Sequence, residues 1–237
     1  MTTMKFHDAI KAATPATTSE PLVTFGPLRL QARAIYQGKE KTLYTFDQAQ
    51  ESVAAKGLVL PRFRDVMEHV IIPGLEGTLT KEQQPVFEDM FRSYGEWTDN
   101  AFYRQQNRLY VTTGNKGLIW NGKEYDATAM TVDATPTAYD ISGLPSQEWL
   151  ALERVAKTAP ALVNDLYSRP FKDLPRKVRN NAGLYLPRDG TVRPVGRGLN
   201  FNYLYADSSY DGAARGVKFS VPSEIEVPSS SSSRIAQ

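Results

Sequence analysis

The stretch Leu43–Pro61, LYTFDQAQESVAAKGLVLP, constrains the fold more than any other part of the chain. Thr45 can cap a helix, and Gln48 three residues on completes a reciprocal capping box. Phe46, Ala49, Val53 and Ala54 then fall on one helical face, so the helix has a side to bury. Gly57 supplies the left-handed stop. Leu58-Val59-Leu60 runs extended into Pro61, which biases the residue before it away from helix. A capped helix followed at once by an extended apolar run points to a fold in which helices and strands share a core.

The rest of the chain alternates in the same way. Lys5–Ala13 reads as a short helix, and Leu22–Tyr36 as one or two strands broken at Gly26-Pro27. A helix over Phe63–Ile72 places Phe63, Val66, Met67 and Val70 inward and ends at Pro73-Gly74. Thr80 and Gln83 form a second capping box for a helix running to Tyr94, stopped by Gly95. Arg108–Thr113 and Leu118–Trp120 are β-type runs, and Asn121-Gly122 predicts a type I′ hairpin. Ser146 is placed to cap QEWLALERVAK, and Ala161–Tyr167 follows as another helix. LYLP, TVRPV, LNFNYLYA and ARGVKF, between Leu184 and Phe219, read as strands separated by glycine-rich turns. The expected class is α+β, with helices packed on a mixed, largely antiparallel sheet formed mainly by the C-terminal third. Residues 1–221 make one domain, with room for a helical insertion at about 63–180.

The chain contains no cysteine, which removes disulfides, thiolate metal sites, iron–sulfur clusters and thiol nucleophiles together. No stretch approaches the ~20 apolar residues of a membrane span, and the N-terminal residues lack a signal-peptide core. The expectation is a cytoplasmic chain without a membrane partner. The net charge of +2 hides an asymmetry: Arg169 to Lys218 holds ten Lys/Arg against four Asp/Glu. Such a basic third could meet an anionic partner, or form a solvated, internally paired face.

Familiar motifs are incomplete. Gly117-Leu-Ile-Trp-Asn-Gly122-Lys123 has phosphate-loop spacing, but Glu124 stands where Ser or Thr must hold the metal. Asp207-Ser-Ser-Tyr-Asp211-Gly212 begins like a calcium loop and has Lys218 where the bidentate Glu belongs. Gly196-Arg197-Gly198 lacks the third glycine of a dinucleotide fingerprint. His7 and His69 are the two imidazoles, the latter four residues after Asp65 and beside Glu68. Neither belongs to a metalloprotease pair or a nucleophile elbow. Glu88, Asp89, Glu96 and Asp99 lie close enough in sequence to leave carboxylate catalysis open. No residue set asks for a metal or a cofactor.

Two stretches carry a family resemblance. Thr45-Phe-Asp47-Gln-Ala49 with Ala54, Gly57 and Leu60-Pro61-Arg62 looks like the helix and "LP" opening of bacterial C-type-lectin-like modules. Tyr203-Leu-Tyr-Ala-Asp207-Ser-Ser-Tyr-Asp-Gly-Ala-Ala-Arg215-Gly-Val217-Lys-Phe219 resembles their closing hairpin, with a final strand of "RGVxF" type. The resemblance covers about a fifth of the chain. It implies a scaffold whose closing loops present a binding surface, and it names no ligand. About 140 residues separate the two stretches, and Trp120-Asn121 continues with Gly122 where the sugar-binding calcium motif has Asp.

The reading these features favour is a non-catalytic binding or assembly module for a protein partner. Its expected surface joins Arg193, Arg197, Asn200, Tyr203, Tyr205, Asp207, Tyr210 and Arg215, rich in the Tyr and Arg of interface hot spots. Nucleic acid is the alternative partner, held at its phosphates by Arg169, Lys172, Arg176, Lys177 and Arg179. A carboxylate-dependent hydrolase is the third reading. The Pro- and Ser-rich tail, 222–237, offers no apolar pattern and is expected to be disordered. Truncation after Val221 should therefore leave the thermal midpoint unchanged. A fall of several degrees in a thermal melt would show that the tail is docked.

Overall fold

The computed structural model describes residues 21–37, 43–92, 95–197, 204–205 and 212–219. The expected N-terminal helix, the tail and most of the Asp207–Gly212 turn lie outside them. The architecture is α+β, with mostly antiparallel sheets. β1 (Leu22–Phe25) and β2 (Leu28–Gln31) form a hairpin about Gly26-Pro27, and β12 (Val217–Phe219) pairs with β2, so the two ends of the described chain share a sheet.

A seven-stranded sheet has the order β7-β4-β3-β10-β11-β9-β8. The middle of the chain supplies β3 (Glu96–Gln105), β4 (Arg108–Thr112) and β7 (Thr137–Asp140). β8 (Trp149–Ala151), β9 (Gly183–Tyr185), β10 (Val192–Arg197) and β11 (Leu204–Tyr205) complete it. The β9–β11 pair is parallel and makes the sheet mixed. β5 (Ile119–Trp120) and β6 (Tyr125–Asp126) form a separate hairpin.

The capping box forms as expected: α1 spans Phe46–Ala54, and the Thr45 N–H donates to Gln48 Oε1 at 3.1 Å. Phe46, Ala49 and Val53 are buried and build a second, smaller core with Trp97 and Tyr125. The Phe46 ring meets Trp97 edge-on at 5.8 Å, and the Phe46 N–H donates to Tyr125 Oη at 3.0 Å. The Trp97 indole donates to the Tyr44 carbonyl at 2.8 Å, so both polar ends of this aromatic cluster are satisfied.

Four local readings are corrected. The helix expected to stop at Pro73 continues: α2 (Phe63–Val66) passes through a π-helical turn (Met67–Ile71) into α3 (Ile72–Glu76). The extra residue of the π turn lets Pro73 enter at the start of a fresh helical segment, where its missing N–H costs little. The chain stops instead at Gly77, with φ 72°. Asn121-Gly122 does turn a hairpin, but with a four-residue loop: Trp120 pairs with Tyr125, and Asn121 Oδ1 accepts from the Lys123 and Glu124 N–H groups. The helix expected from Ser146 begins later, as α5 (Leu152–Thr158), because Gln147 sits at φ 60° and Trp149–Ala151 pairs as β8 with β9. Finally β3 lies where no strand was expected. α4 (Gln84–Arg92), α6 (Pro160–Tyr167) and α7 (Arg176–Asn181) complete the helices. The main core lies between this helical layer and the large sheet. Among the described residues no helix is long and apolar enough to cross a membrane.

Arg215 was placed on the expected binding surface; it has no exposed area at all. Its Nε and Nη2 donate side-on to the two Glu96 carboxylate oxygens at 3.0 and 2.9 Å. Nη2 also donates to Asp89 Oδ2 at 2.6 Å, and Nη1 to the Gln31 carbonyl at 2.6 Å. Burial alone would drag the guanidinium's pKa down, but Glu96 and then Asp89 more than reverse this. Gly216 beside it admits no side chain, since a Cβ would stand 2.5 Å from Leu58 Cδ1 and 2.8 Å from Gln31 Oε1. The "RGV" of the closing strand is therefore a clamp between β2, β3, α4 and β12. Arg215→Met should cost about 3–5 kcal/mol in a urea melt, because it removes the side-on partner of the buried Glu96 carboxylate. Adding Glu96→Gln to that variant should recover part of the loss.

Candidate functional site

A cleft of about 690 Å³ opens between α1, the extended Leu58–Leu60 run, the 113–118 loop and the end of β12. Each wall follows from local sequence. Asp47, Gln50, Glu51 and Ala54 of α1 lie beside its buried stripe and line the cleft; Ala54, expected on the buried face, is exposed. Leu58 and Leu60 turn into the second core, while Val59 points out and is 52% exposed. Ile119 on β5 and Phe219 on β12 are exposed to 53% and 42%. Three of the four large exposed apolar side chains among the described residues thus rim one cleft. Isolated exposed apolar residues are ordinary, but their convergence on one rim is informative.

Asp99, from the middle of β3, lies in the cleft wall. Its Oδ2 accepts from the Gly114 N–H at 2.6 Å, its main-chain N–H donates to the Pro61 carbonyl at 2.9 Å, and its carbonyl accepts from Asn115 Nδ2 at 2.6 Å. Asn115 is fully buried and takes the Thr112 hydroxyl on its own Oδ1 at 2.5 Å; its carbonyl accepts from Gln50 Nε2. Gly114 is required here, because φ is 66° and a Cβ would fall 2.1 Å from the Asp133 carboxylate. The loop is therefore folded around Asp99. Burial pushes the Asp99 carboxyl up to about 6, against the N–H groups of Gly114 and Asn115 and the charge of Arg62, with Asp133 adding to the rise. Lys116 pairs with Asp133 at 3.5 Å, both well exposed, which contributes little to stability.

Of the expected binding residues, Arg193 lies in β10 opposite Phe102 of β3, half-buried, with Nη1 donating to the Val192 carbonyl at 3.1 Å. Arg197 ends β10, and Tyr205 lies in β11 opposite Gly196. Asn200, Tyr203, Asp207 and Tyr210 lie outside the described residues. Arg215 is the buried clamp, so it contributes no exposed group to such a surface. Among the cations proposed for nucleic acid, Arg169 pairs with Glu76 at 2.6 Å, whereas Lys172, Arg176, Lys177 and Arg179 are exposed. The grouped carboxylates separate: Asp89 and Glu96 hold Arg215, and Asp99 alone of the four reaches the cleft. His69 is half-buried against Gly26, and no cluster of three or more metal-ligating side chains occurs among the described residues. The paired glycines of Thr-Gly114-Asn-Lys-Gly117 were the available sequence signal for the loop, at φ 66° and 73°.

Compared with known proteins, the chain matches no family model, no curated protein and no solved structure.

The raised carboxyl of Asp99 makes a signed prediction. The folded state binds this proton more tightly than the unfolded state, so its contribution is fully present below about pH 4 and is lost as pH rises through about 6. At neutral pH the charged group costs up to about 3 kcal/mol. Asp99→Asn keeps an acceptor for the Gly114 N–H and removes the charge. Its stability relative to the parent should rise between pH 4 and pH 7.5, as read from urea melts at both pH values. A constant difference across that window would show that Asp99 titrates normally.

Proposed function

We propose that the chain is a non-catalytic binding module for a protein partner, and that the partner is received in the Asp99 cleft. The observation that carries this is a desolvated carboxylate in the wall of an open cleft whose rim is apolar and exposed. A charge that costs stability in the free protein is characteristic of functional sites. Apolar rims of this kind gain by covering one another when a partner docks. The likeness to C-type-lectin-like modules is carried by sequence alone and bears on scaffold, not on ligand.

The hydrolase reading draws on the same Asp99, whose carboxyl is near the range suited to acid–base work. Binding is favoured because Asp99 is engaged by the loop N–H groups, and its neighbour Asp133 is exposed and paired with Lys116.

A random peptide-display selection against the immobilised full chain tests the binding reading. Recovered clones should lose at least about tenfold in affinity to Val59→Ser/Phe219→Ser, as expected when anchor contacts are removed. They should keep their affinity for Trp149→Ser, an exposed aromatic on the distant β8 edge. Recovery of no clones, or of clones indifferent to the rim, would sink the proposal.

A further inference from the structure

The charges of the cleft are unequal. Asp47, Glu51, Asp99 and Asp133 face it from α1, β3 and the 131–133 segment, against Arg62 and Lys116. Lys116 is taken up by Asp133, and Arg62 stands close enough to Asp99 to lower its pKa. The imbalance therefore falls on α1, where Asp47 and Glu51 lie one turn apart on the face that lines the cleft. Asp47 accepts the Thr45 hydroxyl at 2.7 Å, and Glu51 has no ion pair among the described residues. The same cleft carries the exposed apolar rim of Val59, Ile119 and Phe219, over the buried Leu58, Leu60 and Leu118.

We infer that the occupant of the cleft is a segment of a partner protein in which a lysine or arginine is flanked by apolar side chains. Its cation meets Asp47 and Glu51, and its apolar groups lie against Val59, Ile119 and Phe219. This rests on the binding reading above and adds the class of ligand. A long cationic side chain suits such a cleft, because its aliphatic stem can cover apolar wall while its head reaches the carboxylates. Among the described residues the outward edge of β12 is already paired, Val217 with Val59 in both directions, and Phe219 continues along the rim as an apolar contact. An acidic segment would instead face two uncompensated carboxylates, which disfavours it by like-charge repulsion.

The test uses the full chain and four eight-residue peptide libraries. All have apolar residues flanking a central position fixed as Lys, Arg, Gln or Glu, and binding is read by fluorescence anisotropy at low salt. The Lys and Arg libraries should bind about tenfold or more tighter than the Glu library, with Gln between, as two partly exposed ion pairs would give. Asp47→Asn/Glu51→Gln should bring that ratio below about threefold and leave the Gln library unchanged, as should raising the salt. Val59→Ser/Phe219→Ser should weaken all four libraries together. Equal binding of the four libraries, lost with the rim, would overturn the ligand class and leave the binding cleft standing. Tightest binding of the Glu library would overturn it too, with Arg62 and Lys116 governing the site. No rim-dependent binding of any library would overturn both.

Discussion

The buried guanidinium of Arg215 is the constraint on which the described structure turns. It lies in an irregular segment, between Ala214 and β12, yet it bonds side chains or carbonyls from β2, α4 and β3 at once. A buried arginine is tolerable only when its donors are matched by acceptors, because the desolvation of an unpaired charge amounts to several kcal/mol. Here a side-on carboxylate, a second carboxylate and a carbonyl supply them. The flanking residues repeat the theme: Gly212 bonds Tyr44, Ala213 bonds Gly95 and Trp97, Ala214 bonds Ile35, and Val217 bonds Val59. A segment with little secondary structure of its own thus joins the hairpin sheet, the large sheet and the run after α1.

The cleft is a consequence of that arrangement. Pairing of Val59 with Val217 sends Leu58 and Leu60 into the second core and holds Val59 outside, beside Phe219. α1 is anchored from below by Phe46 in the aromatic cluster, which leaves its acidic face toward the opening. β3 gives Phe102 to the main core and Trp97 and Ala101 to the second, and carries Asp99 in the cleft wall. The 113–118 loop closes over Asp99 through Gly114 and Asn115, and Gln50 ties that loop back to α1. Stability and site are therefore coupled: the loop is ordered by the same carboxylate whose ionisation the fold resists.

Much of the local structure was legible from short-range chemistry. The reciprocal Thr45–Gln48 and Thr80–Gln83 bonds, the turn at Gly26-Pro27 and the hairpin at Asn121 each depend on groups a few residues apart. The misreadings fall where distant partners decide. β3 reads poorly as a strand because Glu96, Thr98 and Asn100 interrupt its apolar pattern, yet all three are buried. They are matched by Arg215, by the Val195 carbonyl, and by the Phe63 N–H with the Thr112 carbonyl. The WLA of β8 suits a helix's first turn as well as a strand, and pairing with β9 decides it.

The chain by itself determined that there would be an α+β fold without cysteine chemistry, where α1 begins, and that a closing strand would fall within the run 214–219, of which the structure pairs Val217–Phe219. Tertiary structure alone decided that Arg215 is a clamp and not a contact. An arginine in a Gly/Ala-rich run carries no local mark of burial, since its acceptors come from Gln31, Asp89 and Glu96. It also decided which carboxylate matters. Glu88, Asp89, Glu96 and Asp99 are alike in sequence, and only their surroundings separate a clamp partner from a desolvated group in a cleft, because a carboxylate's pKa is set by burial and neighbouring charge rather than by its place in the chain.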